Sequence, residues 1–388
     1  MYFNANLLSF QLCLNDLPET LQLILNSQAA KIIEDIKNGY SGIHPDLFNE
    51  YHTLQKAVGR VLQSPNYDDK YFEMQARFEA NIARFAAYKA YHATRQIDSK
   101  RADKNGVERS AEAYKQEAQK VINAFNRYQV AEYNTAVSRT RTAKQWEEFT
   151  GDPEGNEIFP NLKWLPSRSV VPRDEHIVFY DRIWAKTDPF WNQNQPGNLW
   201  NCKCDWQETD EPVTDGNPES KRVNHKGLEG NPAQTGEIFS DNATYFTKVP
   251  QDQQKDAERA YRALEQTNLS NNYKASGGTV NYENIQSKKI FDSSSAYKRM
   301  VDHCYGEEQF AAARAIPYSY QNLTNPRPEK LGERKSDSKK DKKNIENKRR
   351  RGVTGYVWYN WKYCNTNFVV AMEQHVKGYE QIYAIYKK

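Results

Sequence analysis

Six of the eight tryptophans of this chain fall between Trp146 and Trp206. The surrounding stretch, Thr150 to Pro250, is crowded with Gly, Pro and Asn, as in Gly151-Asp152-Pro153, Gln193-Asn194-Gln195-Pro196-Gly197 and Gly230-Asn231-Pro232. Turn signals at this density forbid long helices and imply short strands joined by ordered loops. Each tryptophan buries a large area, so a small loop-rich domain can be held together by them. This texture predicts a middle domain over 151–250.

The flanks read differently. Asp16-Leu17-Pro18-Glu19 is a helix start, with Leu21, Ile24, Leu25, Ile32 and Ile36 following at helical spacing until His44-Pro45. A second helix is predicted near Tyr71–Arg95, with Phe78, Ile82, Phe85 and Lys89 on one face. A third is predicted over Ala111–Phe149, with a stripe of Ala118, Val121, Phe125 and Tyr128. The plain reading of these stripes is the core of a helical bundle or stalk spanning 1–150. Gln251–Gln266 reads as one more helix, and Ser276-Gly277-Gly278 as a boundary closing a helix and linker over 251–278.

Residues 279–388 read as a separate small α+β unit. Ser293–Cys304 and Glu307–Ile316 are helix candidates, and Val353–Tyr363, Asn367–His375 and Tyr379–Tyr386 are strands with a turn at Lys377-Gly378. The expected class is therefore α+β and multidomain: a helical N-terminal half, a Trp-containing middle domain and a C-terminal domain with an antiparallel sheet.

Charge separates the last domain from the rest. The 388 residues carry a net charge of only +4, which excludes a histone-like polycation. Between Arg327 and Arg351, however, twelve Lys/Arg face five Asp/Glu, a local net of +7. A concentrated basic block is a sharper pointer to nucleic acid than the average charge. No stretch approaches the ~20 apolar residues of a membrane span, and Met1–Leu14 lacks the basic start and cleavage site of a signal peptide. Cys13, Cys202, Cys204, Cys304 and Cys364 form no disulfide framework, so a reducing cytoplasm is expected, at least during synthesis.

Two places carry candidate chemistry. In Trp200-Asn201-Cys202-Lys203-Cys204 two thiols lie one residue apart, within reach of one metal, and His176 and His225 can complete a four-ligand zinc shell. The alternative is a pair of buried free thiols in a Trp-rich core. No other cofactor is expected. In the C-terminal domain, His303 ends a helix in Met300-Val301-Asp302-His303-Cys304, and Tyr and Trp interleave over Tyr356–Tyr363 beyond the basic block. A ribonuclease needs a proton acceptor for the 2′-hydroxyl, a proton donor for the leaving oxygen, and cations for the charge between them. No cluster of metal ligands is visible there, which points to a metal-free mechanism. The competing readings are a solvated Lys/Asp/Ser loop over Lys335–Lys343 and a helical histidine with no catalytic role.

Several segments together resemble the phage Mu F-like head morphogenesis family. Asn81-Ile82-Ala83-Arg84-Phe85-Ala86-Ala87-Tyr88-Lys89 is similar to its N-x-x-x-F-[SA]-A-x-K helix, and Glu132-Tyr133-Asn134-Thr135-Ala136-Val137 with Trp146 to its E-Y-(D/N)-T-A…W helix. Leu162-Lys163-Trp164, Arg173 and His176 resemble K-W…R…H, although Asp174-Glu175 brings more charge than that pattern expects. Asp188-Pro189-Phe190-Trp191, Pro196 and Asn201-Cys202-Lys203-Cys204 follow its F…P…N-C-(R/K)-C ending, and Lys226–Ala233 continues the match. The resemblance covers about residues 75–250. It implies a minor head protein of a tailed phage or prophage, located in the virion head or bacterial cytoplasm, with portal and capsid proteins as partners.

Some members of that family carry C-terminal toxins or enzymes, and residues 279–388 resemble the barnase–EndoU–colicin–RelE class of small RNases in the order of their elements. That order is a helix with His303, a second helix over Glu307–Ile316, a loop at Asn325-Pro326, a basic strand at Lys348–Arg351, and a hairpin of Phe368–Met372 and Gly378–Tyr386. The resemblance implies His303 as general base or acid, Lys348 and Arg350 on the phosphate, and Thr366 and Tyr386 hydrogen-bonding the substrate. Lys339, Lys340, Lys342, Lys343, Arg349 and Arg351 would contact RNA. His375, on a late strand, is the alternative catalytic histidine. The expected function is a head morphogenesis protein carrying a metal-independent RNase, with an immunity protein as a further partner. The rival is a structural capsid protein whose basic C-terminus binds packaged DNA. A third reading is a zinc enzyme centred on Cys202, Cys204 and His176.

Overall fold

The computed structural model describes residues 33–35, 49–169, 174–216, 218, 225–275, 279–283, 289–333 and 338–388. The expected helix start at Asp16, the break at His44-Pro45, Arg173 and the Ser276-Gly277-Gly278 boundary lie outside them. The longer elements are, in order, α1 (Asn49–Leu62), α2 (Phe72–Asp98), α3 (Ala111–Asn126), α4 (Gln129–Thr150), β1 (Asn161–Leu165), the single turn α5 (Asp174–Ile177), β2 (Ile183–Ala185), β3 (Asp205–Thr209) and α6 (Gln254–Ala275). Then follow β4 (Thr279–Glu283), β5 (Lys289–Ser293), α7 (Ser294–Asp302), α8 (Glu307–Ala315), β6 (Thr324–Lys330), α9 (Lys339–Arg350), β7 (Val353–Tyr363), β8 (Thr366–His375) and β9 (Glu380–Lys387). This is an α+β fold with its helices mostly in the N-terminal half.

The chain packs as two compact units. One comprises Phe85–Ala260 and the described part of Met1–Gln63; the other comprises Ser64–Arg84 and Tyr261–Lys388.

In the first unit, Tyr51, Leu54, Val58 and Leu62 are buried at helical spacing on α1, which lies along α4. The single long helix expected over 111–149 is two helices, α3 and α4, broken at Arg127-Tyr128. The apolar stripe ends there: Ala118 and Val121 are buried, but Tyr128 is exposed. Beyond the break, α4 buries mostly polar side chains, among them Glu132, Thr135, Ser138, Arg139 and Thr142. Each needs a partner to offset its lost hydration. Arg139 finds several, donating to Asn198 Oδ1 at 2.6 Å and to the carbonyls of Leu228 and Glu229 at 2.8 and 3.3 Å.

The tryptophans make the core that their spacing predicts. A three-stranded antiparallel sheet, ordered β2-β1-β3, packs Trp164, Trp184 and Trp206 with Trp146, Trp191, Phe179, Leu162, Leu199, Cys202 and Cys204. Trp184 stacks on Phe190 at 4.0 Å, and Trp191 meets Trp206 edge to face at 5.2 Å. These pairings are worth about 0.5–1.5 kcal/mol each beyond the area they bury.

The second unit is built on a six-stranded sheet ordered β4-β5-β9-β8-β7-β6. It is mixed rather than antiparallel, because β5 and β9 run parallel. Helices α7 and α8 pack on β9, with Tyr297, Met300 and Val301 of α7 and Phe310 of α8 buried. The β7–β8 hairpin turns on Cys364 and Asn365, both left-handed at φ 45° and 62°, as a two-residue turn matched to strand twist requires. Asn325-Pro326, expected in a loop, sits on β6 at the sheet edge, where proline's missing N–H costs nothing.

The basic segment is the main departure from expectation. Lys348–Arg350, expected on a strand, ends the helix α9, and Lys339–Lys343, expected in a loop, begins it. The side chain of Ser338 accepts from the Asp341 N–H at 3.1 Å, and Asp341 places a carboxylate in the first turn. This capping, with straight-chain Lys, Glu and Arg beyond it, favours helix over strand.

Candidate functional site

The C-terminal sheet presents one face of alternate side chains. Tyr356 and Trp358 on β7 lie opposite Glu373 and Ala371 on β8, and Gln381 on β9 pairs with Glu373. A register shift at Ala371/Met372 sets Tyr383 beside Tyr356, their rings 5.4 Å apart. Trp358 and Tyr386 continue the aromatic row at 6.1 Å. Trp358 is fixed by donating from Nε1 to Glu329 Oε2 at 2.9 Å.

His303 caps the C-terminus of α7, its backbone N–H bonded to the Met300 carbonyl at 3.0 Å. The half-buried ring lies 4.8 Å from Tyr383 and 6.4 Å from Tyr386. Burial holds its pKa below the usual histidine value; Asp302 opposes this, and Lys348 and Arg262 add to it. A helix end thus delivers a largely neutral imidazole to the edge of an aromatic platform.

Lys348, on the last turn of α9, reaches the same place. Its Nζ is hydrogen-bonded to the Tyr356 hydroxyl and lies 4.9 Å from the ring centres of both Tyr356 and Tyr383. Burial lowers the lysine's pKa, as do Arg351 and Arg299, while Glu373 raises it. Glu373 is wholly buried and accepts from Arg299 at 3.4 Å and Arg351 at 3.1 Å. Arg299 also donates to Gln381 Oε1 at 3.0 Å. Three cations around one carboxylate leave this end of the sheet positive, and burial strengthens their field.

The expected site residues divide accordingly. His303, Lys348 and Tyr386 are brought together, and Arg351 joins them through Glu373. Arg350 is not at the site: it pairs with Glu346 along the exposed face of its own helix. Thr366 is not either: it sits at the β7–β8 turn, seven residues along β8 from Glu373, or about 23 Å. Lys339, Lys340, Lys342, Lys343 and Arg349 are all exposed on α9. His375 stacks on Tyr379 at 4.5 Å, near the end of β8. Sequence reasoning missed Arg299, Glu373, Gln381 and Tyr383, and took in Tyr356 and Trp358 only as part of the aromatic run Tyr356–Tyr363. The alternation in Tyr356-Val357-Trp358 hinted at a shared face, but only strand register joins it to Glu373 and Gln381.

A second cluster lies in the first unit. His176 Nδ1 is 3.4 Å from Cys202 Sγ and 3.6 Å from Cys204 Sγ, with all three residues buried. These three donors can hold a metal ion. His225 is not a fourth ligand, because its Nδ1 accepts from the Trp200 N–H at 3.0 Å and its Nε2 lies 3.8 Å from Glu175. Among the described residues no helix is long and apolar enough to cross a membrane. No protein-family model, curated protein or solved structure matches the chain.

Proposed function

We propose that this chain is a phage or prophage head morphogenesis protein whose C-terminal unit is a metal-independent ribonuclease. The head assignment rests on the ordered motifs of residues 75–250. The observation that carries the enzymatic reading is the meeting of His303 and Lys348 at Tyr383.

The chemistry follows from what each group can do. Neutral His303 takes the proton of a ribose 2′-hydroxyl as its oxygen attacks phosphorus. The P–O5′ bond breaks, leaving a 2′,3′-cyclic phosphate on one product, and Lys348 gives a proton to the departing 5′-oxygen. Lys348, Arg299 and Arg351 stabilise the extra negative charge on the phosphorus oxygens in the transition state. Trp358 and Tyr386 offer ring faces to unpaired bases, as single-stranded RNA recognition requires. The substrate class is single-stranded RNA.

A second reading is nonspecific binding of packaged DNA, favoured by the exposed cations of α9. The two separate in one experiment on the full chain with total RNA and tRNA in the presence of a chelator. The ribonuclease cuts RNA and leaves cyclic phosphate ends. Intact RNA, together with DNA binding that weakens steeply with salt, supports the capsid-only reading.

A further inference from the structure

We propose that His176, Cys202 and Cys204 bind a zinc ion that clips α5 to the start of β3. This inference stands on the first unit alone and does not depend on the ribonuclease reading.

The first argument is metric. Zinc binds thiolate sulfur at about 2.3 Å and imidazole nitrogen at about 2.0–2.1 Å in a tetrahedron, which sets the sulfur–nitrogen edge at about 3.5 Å. The two observed separations, 3.4 and 3.6 Å, straddle that value. A single imidazole N–H aimed at one sulfur would favour that sulfur over the other. A nitrogen almost equidistant from both matches an ion seated between them.

The second argument concerns the shell around the donors. Trp164 is fully buried beneath the cluster, its ring 5.0 Å from that of His176. Its indole N–H makes no hydrogen bond to protein oxygen or nitrogen and stands within reach of Cys204. The buried Tyr180 hydroxyl stands within reach of the same sulfur. A neutral thiol gains little from such donors, whereas a metal-bound thiolate is stabilised by them.

The third argument is the donor set. Two thiolates and an imidazole select soft or borderline metals over magnesium or calcium. Among the described residues no fourth His, Cys, Asp or Glu joins the three, so the fourth position falls to another donor, such as water. The ion would close the long loop between His176 and Cys202, a constraint of the kind that couples metal binding to folding.

The test uses the purified full chain reconstituted with zinc, or separately with cobalt(II), under reducing conditions. We expect about one zinc per chain and a thiolate-to-cobalt charge-transfer band in the cobalt form. His176→Ala, Cys202→Ser and Cys204→Ser should each lose most of the bound metal. Trp164→Phe should keep the metal and bind it more weakly. Stripping zinc should lower the melting temperature of wild type. If a cysteine variant fails to fold, the cobalt spectrum of wild type alone decides. A folded wild type that takes up no zinc, or binds cobalt without a thiolate band, overturns the proposal.

Discussion

At the scale of single residues, the proposed ribonuclease gives His303 and Lys348 different work, and they should fail differently. As the proposed base, His303 acts only when neutral. Its pKa lies below the ordinary 6.5 because burial penalises the imidazolium. The base therefore survives as pH falls through 6.5 and is lost only below that. RNA cleavage in the full chain should stay flat as pH falls from about 8 through 6.5, and decline only below that, approaching about tenfold per pH unit once the imidazole is protonated. Lys348, which the proposal makes the source of charge and a proton, is held by Tyr356 and the two ring faces. Lys348→Met keeps the bulk and removes both roles. We expect its kcat to fall by about 10²-fold or more, with oligonucleotide binding much less affected. Loss of binding with unchanged kcat would make Lys348 a mere phosphate contact.

At the scale of elements, the site depends on the register of β7 between its neighbours. Gly355 is the tight point: a Cβ there would sit 2.5 Å from the Glu329 carbonyl on β6. Gly355→Ala must push the edge strand outward, and Glu329 holds the Trp358 ring that faces the site. We expect a destabilisation of about 1–3 kcal/mol by denaturant titration and a loss of tryptophan fluorescence rigidity at Trp358. Unchanged stability would mean that β6 is free to shift. The elements also mark where the sequence was readable. The run of aromatic and β-branched residues around Tyr356-Val357-Trp358-Tyr359 favours a strand, and β7 stands where expected, Val353–Tyr363. The order of elements in the resembling nucleases points to a strand where α9 forms, against the local signal of the Ser338 cap and the Lys/Glu/Arg run. The break between α3 and α4 has no Gly or Pro to announce it. Residues 353–387 yielded three correct strands, but the site also needs Arg299 and Glu373, placed by pairings that no local pattern contains.

At the scale of the molecule, folding has placed ionisable groups in the cores of both units, and stability must follow pH through them. Asp292 is the cleanest case. It is fully buried, accepts from the Ile382 N–H at 2.9 Å and from the Tyr320 hydroxyl, and burial pushes its pKa up to about 6. The sign follows directly. Between pH 4 and 6 the folded carboxyl keeps a proton that the unfolded chain has lost. Its contribution is therefore full at pH below about 4 and disappears as pH rises through 6. The shift amounts to about 3 kcal/mol at one pKa unit per 1.36 kcal/mol. Asp292→Asn keeps the acceptor for Ile382 and removes the titration, so its urea midpoint should vary less between pH 4.5 and 7 than that of wild type. An equal slope in both proteins would place the pH dependence elsewhere.

The charge distribution belongs to this scale too. Of the twelve cations in the +7 segment, six are exposed on α9, suited to a polyanion, while Lys348 and Arg351 turn toward Glu373 and the aromatic face. The ribonuclease account requires both: long-range attraction of RNA, and a small number of cations committed to one phosphate.

The most direct test compares wild type and His303→Ala, each as the full chain, on a single-stranded RNA and on its 2′-deoxy counterpart. The account predicts cleavage of RNA but not DNA by wild type, cyclic phosphate product ends, and a loss of at least about 10²-fold in the variant with an unchanged melting temperature. Intact RNA after incubation with folded wild type, or equal cleavage by the folded variant, would contradict it.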